Sequence, residues 1–338
     1  MTYQGAVRNP GRVESKLLAP LCCAALVASG FIASPTVAQP YPSQPIKLII
    51  PYTAGGGTDV TARLIAEYLA PKLGATIVPE NRPGASASVG ASLVAKSKPD
   101  GYTLLVGTAT LAGNAAVSGS SMGFDLINDF DFIGKLAQLD LVVSVNSKLP
   151  VKDMRDLVNM MRTQPDKVSF GSNGAGSPAH LGAELLKQST KTDATHIPYK
   201  GESQALTDLL GGQTTFQLCS VFVCAPRYKD GTLRALAVTA KKRSALVPDV
   251  PTIAEAGFAG VEAGTWYFLA APKGTPPAII NKVNQALNEI LEDPKLRSRL
   301  EASGLEPDPG TTPASVKAGL QAEIDKWRPV VKAGNIQF

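Results

Sequence analysis

Two stretches of this 338-residue chain place glycines where a backbone must turn sharply or come close to something small. The first, Pro51-Tyr-Thr-Ala-Gly-Gly-Gly-Thr-Asp-Val60, follows the apolar run IKLII and precedes the helical pattern TARLIAEYLA. The second, VSFGSNGAGSPAHLGAELL, repeats the order of strand, glycine-rich loop and helix. Glycine costs conformational entropy, so such clusters mark close backbone approach or tight turns. At the start of a helix the free N–H groups also hold anions. Ser177 stands where an N-cap belongs and Pro178 at the first helical position, a strong local start signal. The plain alternative is that each cluster only turns the chain; two such loops in one chain weigh against it.

The details narrow the anion. A phosphate-binding Walker loop ends in Gly-Lys-Ser/Thr, whereas Gly57 is followed by Thr58 and Asp59. A dinucleotide fingerprint begun at Gly55 and Gly57 requires a small residue where Val60 stands. Asp59 in the first turn complements the helix dipole but limits the negative charge the loop can accept. A singly charged carboxylate fits better than a polyphosphate. A third turn, in HIPYKGESQALTDLLGGQ, carries Tyr199 and Lys200; the lysine either pairs with a ligand anion or is simply solvated.

Other residues could do chemistry. Gly119-Ser-Ser-Met-Gly123 matches the Gly-x-Ser-x-Gly nucleophile elbow around Ser121, but the elbow needs a strand before it and a helix after it, and neither is evident. The chain holds two histidines: His196 opens a strand-like run, and His180, in the first turn of a helix, reads as a support for the second glycine loop. His180 and Glu184 share a helix face without a third metal ligand, so no metal or cofactor is expected. Cys219 and Cys224 flank SVFV and form either a disulfide or two buried thiols. Trp266 and Tyr267 read as core or hinge-adjacent residues.

These residues need a scaffold. Short β-rich runs alternate with helical patterns, among them IKLIIPY, a helix over about 58–70 ended by Pro71 and Gly74, ATIVPEN, YTLLVGT, KVSFG and LRALAVTA. TTFQLCSVFVC reads as strand throughout, and the C-terminal part is mostly helical. This rhythm argues for an α/β protein with parallel sheets covered by helices. At 44% hydrophobic and 18% charged residues the chain is globular, and without a basic cluster interleaved with aromatics nucleic acid is not a partner. Arg8, Arg12 and Lys16 precede LLAPLCCAALVASGFIA, and Thr36-Val37-Ala38 forms a small-residue cleavage site, so 1–38 reads as a signal peptide cut near Ala38. Its removal lowers the net charge from +5 to +3.

From about residue 41 to the C-terminus the sequence closely resembles the Bug (TctC-like) family of periplasmic solute-binding proteins, receptors of tripartite tricarboxylate transporters. The resemblance is carried in order by PYTAGGGTD, NDFDFIGKLAQLDLVVSVNS, GSNGAGSPAHLGAELL, HIPYKGESQALTDLLGGQ, VPDVPTIAEAGF, WYFLAAPKGTPPAIINKVNQAL and WRPVVKAGNI. It implies a type II periplasmic-binding-protein fold: two lobes, each with a mainly parallel sheet flanked by helices, joined by two crossover strands. Lobe 1 would be 39–140 and 262–338, lobe 2 141–261, and the molecule a monomer. The ligand, a small organic carboxylate, would be gripped by Tyr52, Thr53, Gly56, Gly57, Thr58 and Asp59 on the first lobe, with Thr108 and Thr110 beside them. Ser172, Asn173, Gly176, Ser177 and His180 would serve on the second lobe, with Tyr199 at its edge. Cys219 and Ser220 would face the far end of the ligand, where many relatives carry an acidic or polar residue before the serine. That departure argues against a ligand with a distal amino group needing an acid there. Dicarboxylates and aromatic acids head the expected ligands; amino acids and nicotinate-like acids stay open. The implied partners are a transporter's membrane components. The alternatives are an exported receptor feeding a membrane sensor and, more remotely, a secreted esterase using Ser121.

Overall fold

The apolar run Ile46–Ile50 forms β1, buried at every position but Lys47, as befits a strand covered on both faces. The computed structural model describes Met1 and residues 41–118, 122–199 and 201–337; the expected signal segment, Ser121 and Lys200 lie outside the described residues. From β1 the chain continues through α1 (Gly57–Leu73), β2 (Ile77–Asn81), α2 (Ser88–Ala95), β3 (Thr103–Thr108) and α3 (Thr110–Ser118) to the long β4 (Phe130–Asn146). Then follow α4 (Met154–Thr163), β5 (Ser169–Ser172), α5 (Pro178–Thr190), β6 (Thr195–Pro198), α6 (Glu202–Leu210), β7 (Phe216–Ser220), α7 (Val221–Lys229) and β8 (Leu233–Val238). The chain closes with β9 (Gly264–Pro272), α8 (Pro277–Leu291), α9 (Pro294–Ala302), β10 (Leu305–Pro307) and α10 (Pro313–Ala333).

The strands fall into two sheets that share β4. In the first, β2, β1 and β3 run parallel, β3 pairs antiparallel with β9, and β9 pairs antiparallel with β4 from Phe130 to Asp140. In the second, β6, β5 and β7 run parallel, and β7 and β8 pair antiparallel with β4 beyond Asp140. Each sheet therefore has three parallel strands and is completed by antiparallel ones. Apolar clusters cover both faces of each sheet. The chain returns through Val261 and Ala263, both buried in the second lobe, into β9 of the first. This is the type II periplasmic-binding fold, with two strand-like crossings between lobes.

Three local expectations change. Val221–Cys224 is the start of a helix, because the chain turns at Ser220 into α7 despite its β-branched residues. Thr110, expected in a loop after TLLVG, instead begins the helix Thr110–Ser118, which carries no clear cap signal. α1 runs through Pro71 to Leu73 before Gly74, at φ 67°, closes it with a left-handed cap.

Candidate functional site

Leu139 and Leu141, on either side of the point where β4 changes sheets, form part of the wall of a cavity of about 380 Å3. Five helices begin at this cavity. α1 brings Gly56, Gly57 and Thr58; α3 brings Thr110, with Thr108 just before it; α5 brings Pro178 and Ala179, with Asn173 from the loop before it. α6 contributes Gly201, Glu202 and Ser203, and α7 contributes Ser220, Phe222 and Val223. Each N-terminus carries roughly half a positive charge and unpaired N–H groups, so the wall is arranged for negative charge.

Hydroxyl groups sharpen the first-lobe side. The Tyr52 hydroxyl lies 2.9 Å from Thr108 Oγ1, and Thr110 stands beside them in the cavity wall. Tyr267 on β9 packs against Gly57, where an added Cβ would sit 3.3 Å from its hydroxyl. Burial raises both phenols above their ordinary value, which keeps them neutral donors. The glycine loop itself is braced from behind by Asp59, which accepts from Gly55 N–H and Asn81 and pairs with Arg63. Burial alone would raise the Asp59 carboxyl, but these hydrogen bonds and the Arg63 charge outweigh it and hold it below the usual range. Gly55, at φ 83°, takes the left-handed turn this arrangement needs.

The second loop is held from beneath by histidines. His180 Nδ1 accepts from Gly176 N–H at 3.1 Å, and His196 Nε2 lies 2.7 Å from the Ser172 hydroxyl. The two imidazoles stack with centroids 3.7 Å apart, and Phe170 lies beside both. Ser177 caps α5 by accepting from His180 N–H while donating to the Gly174 carbonyl. Gly113 of α3 meets this loop so closely that a Cβ there would lie 2.4 Å from the Gly176 carbonyl oxygen.

Among the expected ligand residues, Tyr52, Thr53, Gly56, Gly57, Thr58, Thr108, Thr110, Asn173 and Ser220 line the cavity. Asp59, Ser172, Gly176, Ser177 and His180 stand behind the loops as their supports. Tyr199 is turned away, donating its hydroxyl to Asp208 at 2.6 Å. Cys219 is not part of the cavity wall. It is fully buried and bridged to Cys224, while its strand neighbours Leu218 and Ser220 reach the cavity; alternation along β7 turns it to the other face.

Two titratable residues of the cavity wall were not among the expected ligand residues. Tyr267 was read as core or hinge-adjacent, and it is both 3% exposed and part of the cavity wall. Glu202 carries no distinctive sequence signal, since an acid in the first turn of a helix is an ordinary dipole complement. Its carboxyl accepts from Ser220 N–H and, at 2.9 Å, from the Ser220 hydroxyl. Burial raises this carboxyl above its usual range, with the Ser220 bonds opposing. The acid expected to be missing beside Ser220 is thus supplied by α6.

Residues 61–336 match the family described as tripartite tricarboxylate transporter family receptor (TctC). The chain belongs to this family. Among its TctC-family relatives, Protein BugT of Bordetella pertussis (strain Tohama I) is 36% identical over 294 residues, covering 86% of this chain and 90% of that protein. Solved structures that resemble it include an R. palustris protein with adipate, with a TM-score of 0.81, 35% identity and coverage of 88% of this chain and 99% of that one. MatC from Rhodopseudomonas palustris with bound malate gives a TM-score of 0.78 at 31% identity, covering 86% and 100%. Periplasmic binding protein BugD gives 0.79 at 31% identity, covering 88% and 99%.

TctC receptors are binding proteins, and the site is arranged for holding. The element before Gly119 is a helix, not the strand a nucleophile elbow requires. Among the described residues no group of three His, Cys, Asp or Glu side chains is placed to hold a metal ion.

Proposed function

We propose that this protein is an exported receptor that captures a small organic carboxylate in the periplasm and delivers it to the membrane components of a tripartite tricarboxylate-type transporter. The observation that carries this reading is the convergence of five helix N-termini and a set of neutral hydroxyls on one cavity. The relatives solved with adipate and with malate support it. In this reading residues 1–38 are removed on export, 39–140 with 262–338 form one lobe, and 141–261 form the other. The lobes close around the ligand and exclude water.

Each helix N-terminus contributes only about 0.3–1 kcal/mol. Micromolar capture corresponds to roughly 8 kcal/mol, so the hydroxyl hydrogen bonds and apolar burial must supply most of it. Thr58 and Tyr52 line the cavity and are the direct probes. Ligand is first removed by unfolding and refolding, and melting is then followed against carboxylic acids and their amides. Acids raise the melting temperature and their amides do not. Thr58→Val and Tyr52→Phe each weaken the best acid about tenfold or more, as expected when a hydrogen bond worth about 1.5–3 kcal/mol to a charged group is lost. Equal shifts for acid and amide would reject carboxylate capture.

A further inference from the structure

Glu202 occupies a special place among the five helix starts. It is the first residue of α6, and its carboxyl reaches across to the N-cap of α7, taking both the N–H and the hydroxyl of Ser220. A carboxylate of the protein thus already fills the anion position at the start of α7. The other helix starts on the cavity carry no such counter-charge there. α3 and α5 have no acid in their first turns, and Asp59 of α1 is committed to Arg63, Asn81 and Gly55 N–H. The cavity is therefore polarised: three helix starts with their hydroxyls offer donors, and one wall offers an acceptor.

Resting on the carboxylate reading above, we propose that Glu202 is the specificity-determining residue and that the ligand is a zwitterion, with one carboxylate held by the glycine-loop side and one protonated nitrogen received by Glu202. An ionised carboxyl has about four lone-pair positions. Ser220 uses two, which leaves acceptors for an ammonium group. Glu202, Tyr267 and Thr58 line the same cavity, so the acidic wall and the glycine loop belong to one small chamber. A dicarboxylate would bring its second carboxylate against Glu202 and find both donors of Ser220 taken. Like charges at that range repel, and only protonation of one of them would relieve the conflict. Burial, which raises the Glu202 carboxyl, also strengthens its attraction for a cation within the closed cleft.

The test compares matched probes of equal chain length on the full protein after ligand removal. 4-Aminobutyrate is set against succinate, 5-aminopentanoate against glutarate and 6-aminohexanoate against adipate, with butyrate and hexanoate as neutral-ended controls and the amide of each amino acid as a carboxylate control. Calorimetric titration is expected to give at least tenfold tighter binding for the zwitterion of one pair than for its dicarboxylate. Glu202→Gln should lose at least tenfold on that zwitterion and gain on the dicarboxylate. Glu202→Asp, with circular dichroism and melting as checks on folding, should keep the zwitterion preference and move its optimum to a longer chain. Acids binding with the dicarboxylate equal or tighter, or a ratio unchanged in Glu202→Gln, would overturn the inference and leave carboxylate capture standing. Amides binding as well as acids, or no acid binding at all, would overturn both.

Discussion

His180 and His196 lie face to face beneath the second glycine loop, and their state of protonation decides whether that loop stays in place. Burial is the first cause that lowers both. The neighbouring His196 and the charge of Lys187 add to it at His180, and Lys187 adds at His196, so the rings titrate near 3 and 4. In the unfolded chain a histidine takes up its proton near pH 6.5. Below that pH the unfolded state binds more protons, and the stabilisation present above pH 6.5 is lost progressively as pH falls towards 4. By pH 5 the loss is roughly 2 kcal/mol for each ring. Asp140, raised to about 6 by burial and then by Glu306, and the raised Glu202 act in the opposite direction, since they hold protons more readily when folded. The prediction is therefore placed on a difference. His196→Gln should lose about 1–2 kcal/mol less unfolding free energy between pH 7 and pH 5 than the unsubstituted protein. Urea unfolding at the two pH values measures it, and equal losses in both proteins would reject the assignment.

At the scale of elements, α7 is the instructive one. Ser220, Phe222 and Val223 face the cavity from about one turn of helix clamped between Cys219 and Cys224. Closing so short a loop contributes about 2 kcal/mol in the chain-entropy account. The paired substitution Cys219→Ala/Cys224→Ala should lower stability by about that amount and weaken ligand binding, because the clamped residues form a cavity wall. A reducing agent should mimic the substitution in the original protein and do nothing to the variant; a variant that binds as before would show that the helix start needs no clamp. This segment also shows where sequence reasoning stops. The α1 and α5 starts were legible because glycines, Ser177 and Pro178 signal them locally. α7 was not, since SVFV favours strand by composition and becomes helix only through a bridge and a capping acid from α6. The facing of Cys219 depends on the register of β7, and the place of Tyr267 depends on β9 returning from far along the chain to pair with β3. α3 carries no cap signal to announce it, and the need for its interior Gly113 shows only when the Gly176 carbonyl is seen against it.

At the scale of the whole molecule, the two lobes are joined by more than the two strand-like crossings. α10 begins in the core of the first lobe, with Val316, Leu320 and Ile324, and ends in that of the second, with Trp327, Val330 and Val331. Gln188 of α5 adds a hydrogen bond to the Val330 carbonyl at 2.8 Å. A hinge that closes on a ligand must carry this helix with it, so α10 couples the lobes in unfolding as well as in closure. Residues 40–338 form one compact unit, and the unsubstituted protein should melt in a single transition whose calorimetric and van't Hoff enthalpies agree. Trp327 is the largest side chain that α10 inserts into the second lobe; it is 2% exposed, and its indole N–H donates to Glu323 at 2.7 Å. Trp327→Ala should cost about 3–5 kcal/mol and divide melting into two transitions, because the second lobe then loses its main apolar tie to a helix rooted in the first. Trp327→Phe, which retains most of the buried surface, should keep one transition at an intermediate temperature. A single unshifted transition in Trp327→Ala would mean that β4 and the return strand alone hold the lobes together.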